Sequence, residues 1–455
     1  MSFETIPQTD IKYALIHFDA DGDERVDDPD GTMSKVLIDQ VNHRQITDVF
    51  FFCHGWMGDV VAAKEQYNAW IKTFATSSDT ALAPAMFGEF RPLYIGLHWP
   101  SLPWGDEELG GQNAFGAPAA ATGHDDLLNQ YLKRLGNEPE IRLPLTAILN
   151  EARRNMAPEQ LPPLVRQAYL DLNAALGLSS AGLGSPPDAD REPFDPDESF
   201  QAGNEDSASF GGGLSVGGLL GPLRQLSYWT MKKRARIVGE GGLHQFLNDL
   251  QTAAASNTRI HLMGHSFGTI VVSGMLGGPN SQGKLARPIA SLALIQGAVS
   301  LWSYAENIPF NGGAGQGYYH PLVTDGKVSG PIVTTRSKWD KAVGRFYPLA
   351  SRMHGSVQFA VGLPKYAGIG AFGIQGLPDV MRSELPMSAD SVPYDFEDGK
   401  IYNLDASKYI CHGSGPSGAH CDIAGPEVAH AIWAAAFGTR TLAKTVGQPV
   451  QRSPQ

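Results

Sequence analysis

The stretch IHLMGHSFGTIVVSGML, Ile260 to Leu276, decides the reading of this chain. A short apolar run ends in Gly-His-Ser-Phe-Gly, and apolar helical text follows at once. The five residues fit G-x-S-x-G, the strand-turn-helix elbow that holds a serine in a strained turn with its hydroxyl exposed. The flanking glycines suit such a turn, which brings backbone and helix too close for a Cβ. Ser266 is therefore the candidate nucleophile.

Upstream lie three unbroken apolar runs of strand length: KYALIHF (Lys12 to Phe18), DVFFFC (Asp48 to Cys53) and PLYIGLHW (Pro92 to Trp99). Runs without polar alternation suit strands buried on both faces of a mostly parallel sheet. Between the second and third, VAAKEQYNAWIKTF has helical spacing and supplies the crossover that parallel strands require. Downstream of the serine the pattern predicts strands at ASLALIQGAV, PIVTT and KIYNL and a closing helix at EVAHAIWAAAF, with the helix LHQFLNDLQTAAA preceding the serine's own strand. The fold class is α/β, a mostly parallel central sheet flanked by helices.

From about Ser101 to Ser227 the strand text stops. Gly, Pro and acidic residues come first, then the helical segments DDLLNQYLKRL and LPPLVRQAYLDLNAAL. Gly177 to Gly221, rich in Gly, Ser, Pro and Asp, reads as a mobile loop, because that composition offers little to bury against the entropy of ordering. The expected organisation is an N-terminal part of the core over residues 1–101, an inserted cap over 102–226 with a flexible 177–221 loop, and the rest of the core over 227–455.

Among 455 residues, 42% are hydrophobic and 18% charged, an ordinary globular balance. The formal charge of -12 argues against a nucleic-acid partner, whose phosphates select clustered Lys and Arg. The first residues lack a basic start followed by an apolar run of signal-peptide length, and no stretch reaches the roughly 18 apolar residues of a membrane helix. The expectation is a chain without a transmembrane segment, cytoplasmic by default. Cys53, Cys411 and Cys421 are too few for a disulfide framework and carry no CxxC spacing, which leaves a Cys411–Cys421 bridge or two free thiols open.

Acyl transfer needs backbone N–H donors for the tetrahedral oxyanion, one following the nucleophile and one from an early loop. Phe267 is the first candidate; HGWMGD, directly after the Asp48 to Cys53 strand, makes Trp56 the second, ahead of Met57. His54, upstream and on that same side, reads as a structural hydrogen-bonding residue. In this chain order the acid follows the serine and the histidine comes last. Asp340, in the loop after PIVTT, is preferred over Asp325 as the acid. His420, in the Gly-rich loop before the closing helix, is preferred as base over His412 and over His430, which lies within that apolar helix.

Other signals are weaker. DADGDERVDD (Asp19 to Asp28) suggests a calcium loop, but its glycine and twelfth position depart from EF-hand spacing, so it reads as an acidic turn. Lys232, Lys233, Arg234 and Arg236, beside Tyr228 and Trp229, read as packing and ion pairing more readily than as an anionic-lipid patch. Trp302, Tyr304, Tyr318 and Tyr319 line an acyl pocket or pack the core.

The motifs together resemble a group of bacterial and fungal α/β-hydrolases in which WxMxxRAxxVGxxG precedes the nucleophile strand, as Trp229 to Gly242 does here. The resemblance takes in HGWMGD, HWPS (His98 to Ser101), GHSFG, SKWDKAV and HCDIAGPEV, and omits the insertion from about Leu102 to Arg224. It implies an α/β-hydrolase fold and hydrolysis of an ester, lipid-like or lactone substrate without any cofactor. The insertion, which the resemblance does not cover, is read from the interrupted strand pattern as a large cap, and no metal site is expected. The expectation is a serine ester hydrolase acting on a small-molecule ester or lipid-like substrate through Ser266, His420 and Asp340, with an acyltransferase or lactonase as the alternative. A rival of another class is an idle binding module that kept the fold.

Overall fold

The computed structural model describes residues 3–26, 31–56, 59–87, 89–101, 128–129, 131–132, 135–155, 158–209, 218–312, 315–346, 359–360, 362–413 and 417–437. Its centre is a sheet of nine strands: β1 (Glu4–Thr5), β2 (Lys12–His17), β3 (Asp48–Cys53), β4 (Pro92–His98), β5 (Arg259–His265), β6 (Ser291–Ile295), β7 (Ile332–Arg336), β10 (Arg382–Pro386) and β11 (Ile401–Asp405). Two further strands, β8 (Phe359–Ala360) and β9 (Leu363–Pro364), form a separate antiparallel pair. The sheet order is β1-β2-β4-β3-β5-β6-β7-β11-β10. Every neighbouring pair is parallel except β1 with β2. The central strands β3 and β5 are buried because both their faces are covered, and two of their polar residues, Asp48 and His261, pair with each other at 3.2 Å.

One face carries the helices Met33–His43, Gly221–Val238, His244–Ala253 and Gly268–Gly277. The other carries Val60–Ala75 and the closing helix Pro426–Phe437, whose Trp433 stacks on Phe74 with ring centroids 4.3 Å apart. The order also fixes where a site can form. After β3 the chain goes to β4 on one side, then returns past β3 to β5 on the other. At such a switch the loops leaving two adjacent strands part, and a crevice opens at their carboxyl ends. The loops after β3 and β5 carry His54–Trp56 and Ser266.

All the strands expected from apolar runs are present. The edge strands β1 and β10 were not foreseen: edge positions tolerate polar residues, and GluThr and ArgSerGluLeuPro carry no apolar run. Between residues 102 and 226 the described elements are all helical: Pro139–Arg154, Pro163–Ala175, Pro196–Ser209 and the start of Gly221–Val238. The expected boundary at 226/227 falls inside that last helix and has no counterpart in the fold.

The expected mobile loop over 177–221 is corrected in its described part. Residues 196–209 form a helix, Leu178, Leu183 and Phe200 join the same apolar cluster as the sheet, and Ala189 is buried. Polar groups in that loop find partners on the helix Gly221–Val238. Asp188 accepts two bonds from Arg236, at 2.6 and 3.2 Å, and Arg236 also reaches Glu240 at 3.1 Å. Lys233 donates to the carbonyls of Leu176 and Gly177, and Arg234 to that of Pro100. Lys233 and Arg236 thus hold the insertion to this helix, and Arg234 holds the end of the first core segment to it. Composition misled because it counts apolar residues and not ion pairs made with a distant helix.

Lys232 and Asp190 lie fully buried in the same region. Burial pushes the Lys232 ammonium down and the Asp190 carboxyl up, and each acts on the other as a nearby opposite charge. Lys232→Ala should therefore cost about 3–5 kcal/mol in urea unfolding, since it leaves a buried carboxylate without its counter-charge. The double variant Lys232→Met with Asp190→Leu should recover most of that loss; equal damage in both would mean the lysine acts through packing alone.

The three cysteines are free thiols. No helix among the described residues is long and apolar enough to cross a membrane.

Candidate active site

β5 ends at His265, and the helix Gly268–Gly277 begins two residues after Ser266. Ser266 has φ 56°, the left-handed region that an L-residue enters only at a cost of about 1–2 kcal/mol. The turn is tight because the helix starts against the end of β3: a Cβ on Gly268 would lie 2.5 Å from the Cys53 carbonyl oxygen. A Cβ on Gly55 would lie 2.5 Å from the Ser266 Cβ, so only glycine lets the early loop pass the serine.

His420 and Asp340 complete a line with the serine. The His420 Nε2 is 2.8 Å from Ser266 Oγ, and its Nδ1 is 2.8 Å from Asp340 Oδ2. All three residues are buried. With Nδ1 donating to the carboxylate, Nε2 is left as an acceptor for the serine proton. Asp340 sits in the loop after β7, where its Oδ1 takes the Val343 N–H at 3.0 Å and its Oδ2 the Gln296 side-chain amide at 2.9 Å. The acid loop and base loop are bridged at Asp340 and Gly418, and Ala419 N–H donates to the Trp339 carbonyl at 3.0 Å. That bridge sets the carboxylate-to-imidazole distance by backbone and not by side-chain chance.

The rejected alternatives lie elsewhere. Asp325 is exposed in a turn after the short helical segment Pro321–Thr324. His412 is exposed beside Asp422. His430 is buried in the closing helix, with Nδ1 2.9 Å from Asp79 and Nε2 3.0 Å from the Val392 carbonyl, and Asp79 raises its pKa against the effect of burial.

On the other side of the serine, Phe267 caps the helix Gly268–Gly277, so its N–H belongs to the end where amides have no intrahelical partner and the dipole is positive. Trp56 stacks on it, ring centroids 5.6 Å apart, and Tyr228 packs edge-on against both. The two residues read as oxyanion donors therefore stand together beside Ser266. Met57 and Gly58 lie outside the described residues.

Three neighbours escaped the sequence reading. Gln296, after β6, has φ 45° and holds Asp340 while its own oxygen accepts the Thr335 hydroxyl at 2.9 Å. The available signal was a polar residue closing a buried apolar strand at its carboxyl end. His265 lies 3.0 Å from the His420 carbonyl through Nε2 and 3.0 Å from the Gln66 side-chain nitrogen through Nδ1. The pair Gln66–His265 braces the base loop from beneath.

Trp302, Tyr304 and Tyr319 are buried; Tyr304 pairs with Ser273 at 2.6 Å and Tyr318 donates to Glu240 at 2.8 Å. Trp302, Tyr304 and Tyr319 belong to the apolar cluster, and Tyr318 packs half-buried against it. In the acidic turn, Asp19 Oδ1 accepts the N–H groups of Asp21 and Asp23 at 3.0 and 2.9 Å, so that carboxylate folds onto its own backbone; residues 27–30 lie outside the described residues.

His54 is structural, as expected. Its Nδ1 meets the Gly55 carbonyl at 2.8 Å, and its N–H donates to Tyr67 Oη at 2.9 Å, which in turn donates to the Leu97 carbonyl. Burial lowers His54 to about 4, His98 to about 3 and His265 to about 3. Each is held neutral in the fold but takes a proton at ordinary histidine pH once unfolded. Stability is therefore complete above about pH 6.5 and is lost as pH falls toward the folded values. Three such groups together remove about 4 kcal/mol per pH unit, so acid unfolding followed by circular dichroism should have its midpoint between about pH 4 and 6. A fold still fully native at pH 3.5 would count against so deep a depression of all three rings.

Compared with known protein families, curated proteins and solved structures, the chain matches none, and the hydrolase resemblance rests on the motif residues alone.

Proposed function

We propose that this protein is a serine hydrolase of the α/β-hydrolase type that cleaves carboxylic esters through an acyl-enzyme. The observation that carries the reading is the line Ser266–His420–Asp340, with two 2.8 Å links, at the carboxyl ends of parallel strands and on a strained strand-helix turn. His420 takes the hydroxyl proton as Ser266 Oγ attacks the acyl carbon. The negative charge that builds on the carbonyl oxygen is met by the N–H groups of Phe267 and Trp56. His420 then returns its proton to the leaving alcohol. Water, deprotonated by the same imidazole, attacks the acyl-enzyme; the acid leaves and the serine recovers its proton. Asp340 stays ionised throughout and stabilises the imidazolium.

The sheet order and the switch between β3 and β5 support the fold assignment. The test is labelling of the intact protein with a fluorophosphonate probe, followed by turnover of p-nitrophenyl esters from acetyl to long acyl chains. Stoichiometric labelling at Ser266 with ester turnover is expected. A protein that melts cooperatively but neither labels nor turns over would have kept the fold as a binding module.

A further inference from the structure

A second cluster of chemically able side chains lies on the loop pair that carries His420, outside the triad. We propose that Cys411, His412 and Asp422 form a binding site for one zinc-class divalent cation. Their ligand atoms all lie within 4.8 Å of one another. Cys411 Sγ is 3.7 Å from His412 Nδ1, and His412 Nδ1 is 3.2 Å from Asp422 Oδ2. In a tetrahedral zinc site, bond lengths near 2.3 Å to sulfur and 2.0–2.1 Å to nitrogen and oxygen place S and N about 3.6 Å apart and N and O about 3.3 Å apart. The Cys411–His412 and His412–Asp422 separations already match two edges of such a tetrahedron.

The set is also chemically apt. Sulfur, imidazole and carboxylate are the ligand types zinc takes, and a thiolate with a carboxylate balances the ion's two charges. The carboxylate is pre-oriented, because Asp422 Oδ2 accepts the backbone N–H groups of Cys411 at 3.0 Å and His412 at 2.8 Å. Those bonds act as the outer support that metal ligands commonly have. His412 has its side chain 84% exposed, which gives the ion a path from solvent and leaves the fourth position to water. On binding, the Cys411 thiol releases its proton to solvent as the S–metal bond forms. The His412 Nδ1 lone pair takes the metal, and the ring proton resides on Nε2.

The site's place gives it a consequence. Cys411 and His412 precede, and Asp422 follows, the segment holding His420, whose carbonyl is within hydrogen-bond reach of His265 Nε2 at 3.0 Å. A bound ion therefore cross-links the two ends of the base loop. It should raise the unfolding temperature without touching the reacting atoms.

The test uses the full chain, reduced and freed of metal, titrated with Co²⁺ and then with Zn²⁺. One equivalent of Co²⁺ should bring up a thiolate-to-cobalt charge-transfer band in the near ultraviolet, and Zn²⁺ should erase it by displacement. Cys411→Ser should abolish the band, and His412→Ala should weaken Zn²⁺ binding at least about tenfold, whereas Cys421→Ser should leave both intact. Asp422→Asn should act like His412→Ala, but it replaces a charged acceptor of two backbone N–H groups by a weaker neutral one, so the exposed His412 variant is the decisive one if Asp422→Asn fails to fold. No stoichiometric band, or a band lost in Cys421→Ser and kept in Cys411→Ser, overturns the site. The readout is metal binding and not turnover, so it stands or falls apart from the proposed esterase activity.

Discussion

Ser266→Ala is expected to lower kcat/KM for p-nitrophenyl acetate by about 10⁴–10⁶ while the protein remains folded, as removal of a triad nucleophile does when the other members stay in place. The loss follows from the single bond that Oγ makes to His420 Nε2 and from its position on the turn after β5. The stability expectation follows from the backbone. Alanine meets the same left-handed penalty at φ 56° as serine does, and the hydroxyl packs nothing that a methyl leaves open. The melting temperature should stay within a few degrees, and fluorophosphonate labelling should disappear. Activity within about tenfold of the parent would take Ser266 out of the mechanism, and a collapsed melt would make the kinetic loss uninformative.

How much of this was legible in the sequence depends on where each residue's partners lie. Ser266, Phe267 and the strand before them were legible because the elbow is local: five consecutive residues fix the turn. Asp340 and His420 were reachable through chain order and loop position, and the structure brings both to the serine. Gln66 and His265 were not, since they meet across 199 positions and nothing in the neighbouring text marks either. Gln296 carried only the signal of a polar residue closing an apolar strand, with its partner Asp340 lying 44 positions on. The 177–221 segment failed for the same reason. Asp188 looks like one more polar loop residue until Arg236, forty-eight positions on, is seen to hold it.

Asp340→Asn is expected to lower kcat/KM by about 10³–10⁴, and the hydrogen bonds around the carboxylate say why no side-chain rotation rescues it. Oδ2 faces two donors, His420 Nδ1 and Gln296 Nε2, and Oδ1 faces a third, the Val343 N–H. An asparagine has one oxygen for these two positions. Turned with its NH₂ toward Oδ2's partners, it opposes His420 and Gln296 at once, and the histidine must place its proton on Nε2, aimed at Ser266, where it cannot accept another. Turned the other way, it keeps the tautomer but sets its NH₂ against the Val343 N–H, and the negative charge that stabilises the imidazolium is gone in either case. His420→Ala should fall further, to the level of the serine variant, while Asp325→Asn, exposed and far along the chain from the base, should stay within about twofold. His412→Ala should also keep the parent rate on these esters, since that ring faces solvent beside Asp422. His430→Ala should keep the rate at low temperature yet melt earlier, because it breaks a buried pair with Asp79. A near-normal rate in Asp340→Asn, with the His420 variant inactive, would show that Gln296 and the bridged loops hold the imidazole well enough without the carboxylate's charge.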